Sequence, residues 1–115
     1  MPSSTDVSQR AASAVQSLRL IHSSQTSYRW SNGRYTDLTT LSANKYFTDP
    51  LLAAGSKSNY LFTLAVNADD PASNYEAAAT PDTSPASWQH FYVDGTGVIR
   101  FAHGGPANAI SQPLN

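Results

Sequence analysis

Val7, Ala11, Ala14, Leu18, Ile21, Gln25 and Tyr28 follow one another at alternating spacings of four and three. No other feature constrains the fold of this chain as strongly. The spacing puts all of them on one face of an α-helix, and every one except Gln25 is apolar or aromatic. Ala12 and Val15 widen the stripe. Ser3, Ser4, Thr5 and Asp6 offer N-caps, and Ser31-Asn32-Gly33 offers a stop, so a helix is expected over about 6–30. The stretch from Val7 to Tyr28, about 22 residues at 1.5 Å each, gives roughly 33 Å, long for a chain of this size. Such a helix either overhangs its core or continues into something else.

From 31 to 58 the text is irregular. Tyr35, Leu38, Leu41, Tyr46, Phe47, Leu51 and Leu52 sit as apolar anchors among turn formers, which reads as a surface excursion with one short helical turn near Pro50–Ala54. Period-two patterning follows over about 59–102. Tyr60, Phe62, Leu64 and Val66 alternate with Leu61, Thr63 and Ala65. A weaker strand covers "YEAAAT", and "QHFYVD" and "VIRFA" flank Asp94-Gly95-Thr96-Gly97. The tail, 103–115, is rich in breakers and expected to be only partly ordered. One helix followed by strands makes the expected fold α+β: a single domain, 1–115, with a long N-terminal helix on a small antiparallel sheet of three to four strands.

Composition narrows the function. Only 13% of residues are charged and the formal net charge is −1, about half the usual share of charge. Nucleic acid and anionic membranes reward clustered basic residues, so neither is expected as the main partner. A surface built from Ser, Thr and Asn repels copies of itself only weakly, which suits self-packing. There is no cysteine, which excludes thiol chemistry, disulfides and Cys-based zinc sites. No apolar run reaches the roughly 20 residues of a membrane span, and the first residues do not read as a signal peptide.

The polar candidates give no catalytic constellation. His22, on the flank of the helical stripe, His90 and His103 lack metal-ligand spacing, and no Gly-x-Ser-x-Gly occurs. No catalytic residue is assigned and no enzyme is expected. Asp69, Asp70, Asp82 and Asp94 fall in or beside loops that would meet at one sheet edge, which makes them calcium-ligand candidates, although the EF-hand pattern is missing. Asp94 to Gly97 lacks a P-loop lysine and precedes a strand, so it is a poor phosphate loop. Asp-Gly between two alternating runs is instead a hairpin signal. Trp30, Tyr35, Tyr46, Trp88 and Tyr92 would make a stacking platform if they converged.

The order of these segments resembles the type IV pilin and type II secretion pseudopilin family. "AASAVQSLRLIHSSQTSY" is similar to the helix that follows the membrane segment in that family. "DPLLAAGSKSNYLFTL" is similar to the approach to its first strand, and "FYVDGTGVIRFAHGGPANAISQPL" to the terminal hairpin and tail of a bacterial subgroup. The resemblance covers about Ala11 to Leu114. It implies a non-enzymatic filament subunit, anchored in the inner membrane before assembly and then extracellular or periplasmic, whose partners are copies of itself. The family's processing site, apolar anchor and C-terminal disulfide have no counterpart in this sequence. The expectation is therefore a soluble ectodomain lacking its membrane segment, monomeric when dilute. In the helix, Ala14, Leu18, Ile21 and Tyr28 are expected to face the core, and Ala11, Ala12 and Val15 to approach neighbouring helices. A secretion pseudopilin, for which a structural calcium would argue, and a free carbohydrate- or surface-binding module are the alternatives.

Overall fold

Helix α1 spans Ser4–Asn32, 29 residues, in a computed structural model that describes residues 4–47, 50–57, 60–66, 69–70, 74–81, 89–103, 107–108 and 110–113. At 1.5 Å per residue the helix is about 44 Å long, matching the longest dimension of the molecule, 44 Å. Ala11, Ala14, Leu18, Ile21, Gln25 and Tyr28 are buried along it as the spacing requires. Ala12 is exposed and Val15 half-buried. The helix ends where Gly33 adopts φ +78° and its N–H donates to the Arg29 carbonyl at 2.7 Å. Glycine takes this left-handed conformation without a Cβ penalty.

The stretch 31–58, expected to be irregular with one helical turn, contains two short helices. Helix α2 is Leu38–Ala43. Asp37 caps it, its Oδ1 accepting from the Thr40 N–H at 2.7 Å, and Leu38 and Leu41 are its buried pair. Its C-terminus closes with Tyr46 N–H on the Leu41 carbonyl and Lys45 N–H on that of Ser42, which puts Lys45 at φ 62°. Helix α3 is Pro50–Ala53, at the expected turn.

The sheet has six strands, not three to four. They are β1 (Ser56–Lys57), β2 (Tyr60–Val66), β3 (Tyr75–Pro81), β4 (Gln89–Asp94), β5 (Arg100–His103) and β6 (Gln112–Pro113). Each pairs antiparallel with the strand before it. The two extra strands are two-residue edges, too short for a period of two to register in sequence. Edges this short also offer little template for further pairing. Within the tail, expected to be only partly ordered, β6 is fastened by Arg100 Nη1 donating to the Ser111 carbonyl at 2.9 Å.

Register sorts the sheet into two faces. Phe62, Ala79, Phe91 and Phe101 form one row across it, and Leu64, Ala77 and Val93 another. These rows face α1, which crosses β3 and β4. Ala77 and Ala79 are small and fully buried there, which lets the helix axis lie close to β3, while Phe91, Leu18 and Ile21 fill the space on either side. Full burial of Leu18 alone stabilises the fold by about 2–3 kcal/mol. The helix-on-antiparallel-sheet architecture of the α+β expectation therefore stands. Among the described residues no helix is long and apolar enough to cross a membrane.

Candidate functional site

Asp94 ends β4 and opens the turn. The Gly97 N–H donates to the Asp94 carbonyl at 2.9 Å, with Gly97 at φ +78°. The Asp94 side chain then folds over its own turn. Its Oδ1 accepts from the Thr96 N–H at 3.0 Å and from the Thr96 hydroxyl at 2.6 Å, and its Oδ2 accepts from the Tyr92 hydroxyl at 3.1 Å. The Thr96 hydroxyl oxygen in turn accepts from the Val98 N–H at 3.2 Å, and the Gly95 N–H donates to Asn74 Oδ1 at 2.8 Å.

This arrangement decides what the loop can bind. The amides of Gly95, Thr96, Gly97 and Val98 all have protein acceptors, so no concavity of free N–H groups remains for a phosphate. Both Asp94 oxygens already accept hydrogen bonds. Burial pushes the Asp94 carboxyl up, but the bonds from Thr96 and Tyr92 and the charge of Arg100 outweigh it and hold the group below the usual carboxylate range. Asp94 stays ionised as the clasp of a hairpin, as the Asp-Gly signal suggested.

The other calcium candidates do not gather round it. Asp69 and Asp70 are exposed in the β2–β3 connection, at the end of the sheet where Glu76 pairs with Asp94. Asp82 lies outside the described residues. Among the described residues no three His, Asp or Glu side chains are grouped to hold a metal ion.

Beneath the turn, on the helix side, lies a contact that sequence reasoning missed. His22, on the flank of the stripe, reaches the sheet. Its Nδ1 and the Tyr75 hydroxyl are 2.6 Å apart, and Tyr35 packs edge-on to Tyr75 with ring centres 4.9 Å apart. The Arg29 guanidinium sits 5.5 Å from the centre of the Tyr35 ring. Burial lowers the His22 pKa, with the Asp94 charge acting in the opposite sense. Burial also pushes the Tyr75 phenol up, helped by Tyr35 and Asp94. Both groups are therefore neutral near pH 7, the phenol donating to the imidazole or accepting from it according to tautomer. A shallow depression of about 280 Å³ opens beside His22, lined by Arg19, Ser23, Val93, Gly97 and Ile99. The His22–Tyr75 pair is a strut between helix and sheet.

The aromatic residues do not converge. Trp30 is 91% exposed on α1, whereas Tyr46 is half-buried edge-on against Tyr28 and Tyr35 is engaged with Tyr75. Tyr92 is buried on the sheet face away from the helix, and Trp88 lies outside the described residues. That outer face holds a groove of about 400 Å³ walled by Thr63, Ala65, Ala78, Tyr92, Ala107 and Ile110, with Glu76 at its side. Ile110 is 92% exposed at its rim. Alternation in "LFTLAV" and "YEAAAT" marks which residues face outward, but only the fold of the tail turns them into a groove.

Ala14, Leu18, Ile21 and Tyr28 lie in the chain's own core. Of the positions expected to approach neighbouring helices, Ala11 is also buried in that core and Val15 is half-buried against it, while Ala12 is exposed. Comparison with known protein families, curated proteins and solved structures finds no significant match.

Proposed function

We propose that this chain is the head domain of a non-enzymatic filament subunit of the type IV pilin class. The observation that carries the reading is a helix as long as the molecule itself, laid across an antiparallel sheet in which every strand pairs with its predecessor. Such a helix serves as a stalk as well as a core element. The hydrogen-bonded closure of the Asp94 turn and the dispersal of the aromatics favour a structural role over a ligand site on those residues. With Asp94 engaged by Thr96 and Tyr92, the argument from calcium for a secretion pseudopilin loses its central ligand, and a pilus subunit is the preferred form. Assembly would use heterologous contacts, which propagate open filaments, with Ala12 and Val15 at close approach to neighbouring helices. The partners are copies of the same chain. The inner membrane holds the subunit before assembly, through an apolar segment on the N-terminal side of α1, and the filament is extracellular.

The test is to shear filaments from the source cells and read the subunit's N-terminus by mass spectrometry. A methylated Phe followed by about 20 or more mostly apolar residues before Ser8-Gln9-Arg10 is the expected result. Recovery of the protein only as a free soluble species beginning at Met1 or Pro2 overturns the proposal.

A further inference from the structure

The two layers of the molecule carry opposite charge, although the chain as a whole is nearly neutral. Residues 1–36, which include α1, contain Arg10, Arg19, Arg29 and Arg34 against Asp6 alone. Across the sheet, from Ser56 to His103, five acids stand against Lys57 and Arg100. Segregation of this kind leaves a basic helical side and an acidic sheet side on one body.

Each side also carries a matching shape. On the helical side Trp30 projects with 91% of its surface exposed, between Arg29 and the exposed Arg34. An indole left in water forgoes one of the largest apolar burials a side chain can make. On the sheet side, facing away from α1, lies the groove of about 400 Å³, within the size range of sites that take a small ligand or anchor side chain. Its floor is the row Thr63, Ala78 and Tyr92, and exposed Ile110 stands at its rim. Glu76, at its side, lies directly across from Asp94 on β4. The charge of Arg100 already acts on Asp94, whereas Glu76 is exposed and open to an incoming cation.

We propose that this chain associates head to tail with a second copy, Trp30 of one molecule seating in the outer-sheet groove of the next while Arg34 meets Glu76. The occupant is another copy because the two surfaces complement each other in charge and in form. Knob and groove lie on opposite sides of the body, so the contact leaves one of each unsatisfied and extends as a row. One anchor and one charge pair make it weak and salt-sensitive, consistent with a monomer at low concentration. The contact is independent of the filament reading, since it needs neither a membrane segment nor helix-to-helix packing.

The chain has no cysteine, which allows a direct test on the protein as it stands. Ser31→Cys, beside the intact Trp30, and Thr63→Cys, both at exposed positions, are mixed at high concentration and low salt and then oxidised. The mixed disulfide dimer is expected in about tenfold excess over either homodimer, about fivefold beyond the random value and equivalent to about 1 kcal/mol of preference, and the preference is lost in 1 M salt. Random collision gives an excess of only about twofold; that result, or no cross-link at all, overturns the proposal. In the charge arm, Arg34→Glu added to the Ser31→Cys chain abolishes the excess, and Glu76→Arg added to the Thr63→Cys chain restores it. Failure to restore it overturns the pairing. None of these outcomes depends on the native N-terminus, so failure here and failure of the filament reading are separately visible.

Discussion

Gly97→Ala tests how closely the Asp94 turn and α1 are fitted to each other. Gly97 sits at φ +78°, and a Cβ added there would lie 2.8 Å from His22 Nε2. The left-handed conformation alone costs a non-glycine residue about 1–2 kcal/mol. The imidazole cannot swing away freely, because Nδ1 is held by the Tyr75 hydroxyl at 2.6 Å. Displacing it costs about 0.5–1.5 kcal/mol as an off-rotamer side chain, and losing the bond costs about 1 kcal/mol. The expected destabilisation is therefore about 2–4 kcal/mol, read as a fall in the urea midpoint at constant m-value. Gly33→Ala is the control. Gly33 has the same φ of +78° with nothing within 4 Å of an added Cβ, so it reports the backbone cost alone. The difference between the two variants, about 1–2 kcal/mol, measures the clash with His22. In a His22→Ala background that difference should vanish. Equal losses for Gly97→Ala and Gly33→Ala, or an undiminished difference without His22, would refute the reasoning.

Because burial lowers the His22 pKa below 6.5, the unfolded chain binds that proton more readily. Stability should rise with pH across the window from the folded pKa to about 6.5 and fall on acidification; His22→Gln should flatten that part of a pH series of urea melts. Asp94 and Asp37 are held below 3.8 in the fold, so their contribution is present above that value and is lost at lower pH, as the folded pKa values are crossed. Lys45→Gly should stabilise the protein by about 0.5–1 kcal/mol in thermal melts, since a non-glycine residue occupies φ 62° there. Gln25→Leu keeps roughly the same volume but removes the amide that donates to the Thr36 carbonyl at 2.5 Å and accepts from its N–H at 2.9 Å. A loss of about 1–3 kcal/mol is expected in denaturant melts, with earlier amide exchange around Thr36.

The parts of the fold legible in the sequence were those with a long period. The stripe of α1 repeats often enough that Ala11, Ala14, Leu18, Ile21, Tyr28 and polar Gln25 were readable as its buried face. Buried Ser17 and Ser24 and the partner Thr36 were not, and Ala12, read into the stripe, is exposed. The Asp94 turn was legible because Asp-Gly between alternating runs admits few backbone solutions. Helix α2 was hidden among turn formers even though Asp37 caps it and Leu38 and Leu41 share a face; with only six residues it has too few repeats to stand out. Strands β1 and β6 owe their existence to neighbours supplying hydrogen bonds, which no local pattern encodes. The expected calcium cluster does not assemble among the described residues, because loop acids need a common destination and Asp94 spends its oxygens within its own turn. The His22 strut joins residues 53 positions apart, beyond anything periodicity reports.

The order in which the chain is made gives the helix a particular problem. Helix α1 leaves the ribosome before the sheet, and β4, the strand it lies across, follows some 60 residues later, about 3–12 s at ordinary synthesis rates. Through that interval the apolar stripe has no sheet to cover it. The stripe mixes two alanines, Ala11 and Ala14, with buried Ser17, Ser24 and Gln25, and its larger apolar anchors, Leu18, Ile21 and Tyr28, are spaced three to seven residues apart. A nascent helix of that composition presents little continuous greasy surface to chaperones or to other nascent chains. The same sparseness that keeps α1 innocuous while it waits leaves its final anchorage to a few large side chains supplied by the sheet, Phe91 and Tyr75 foremost.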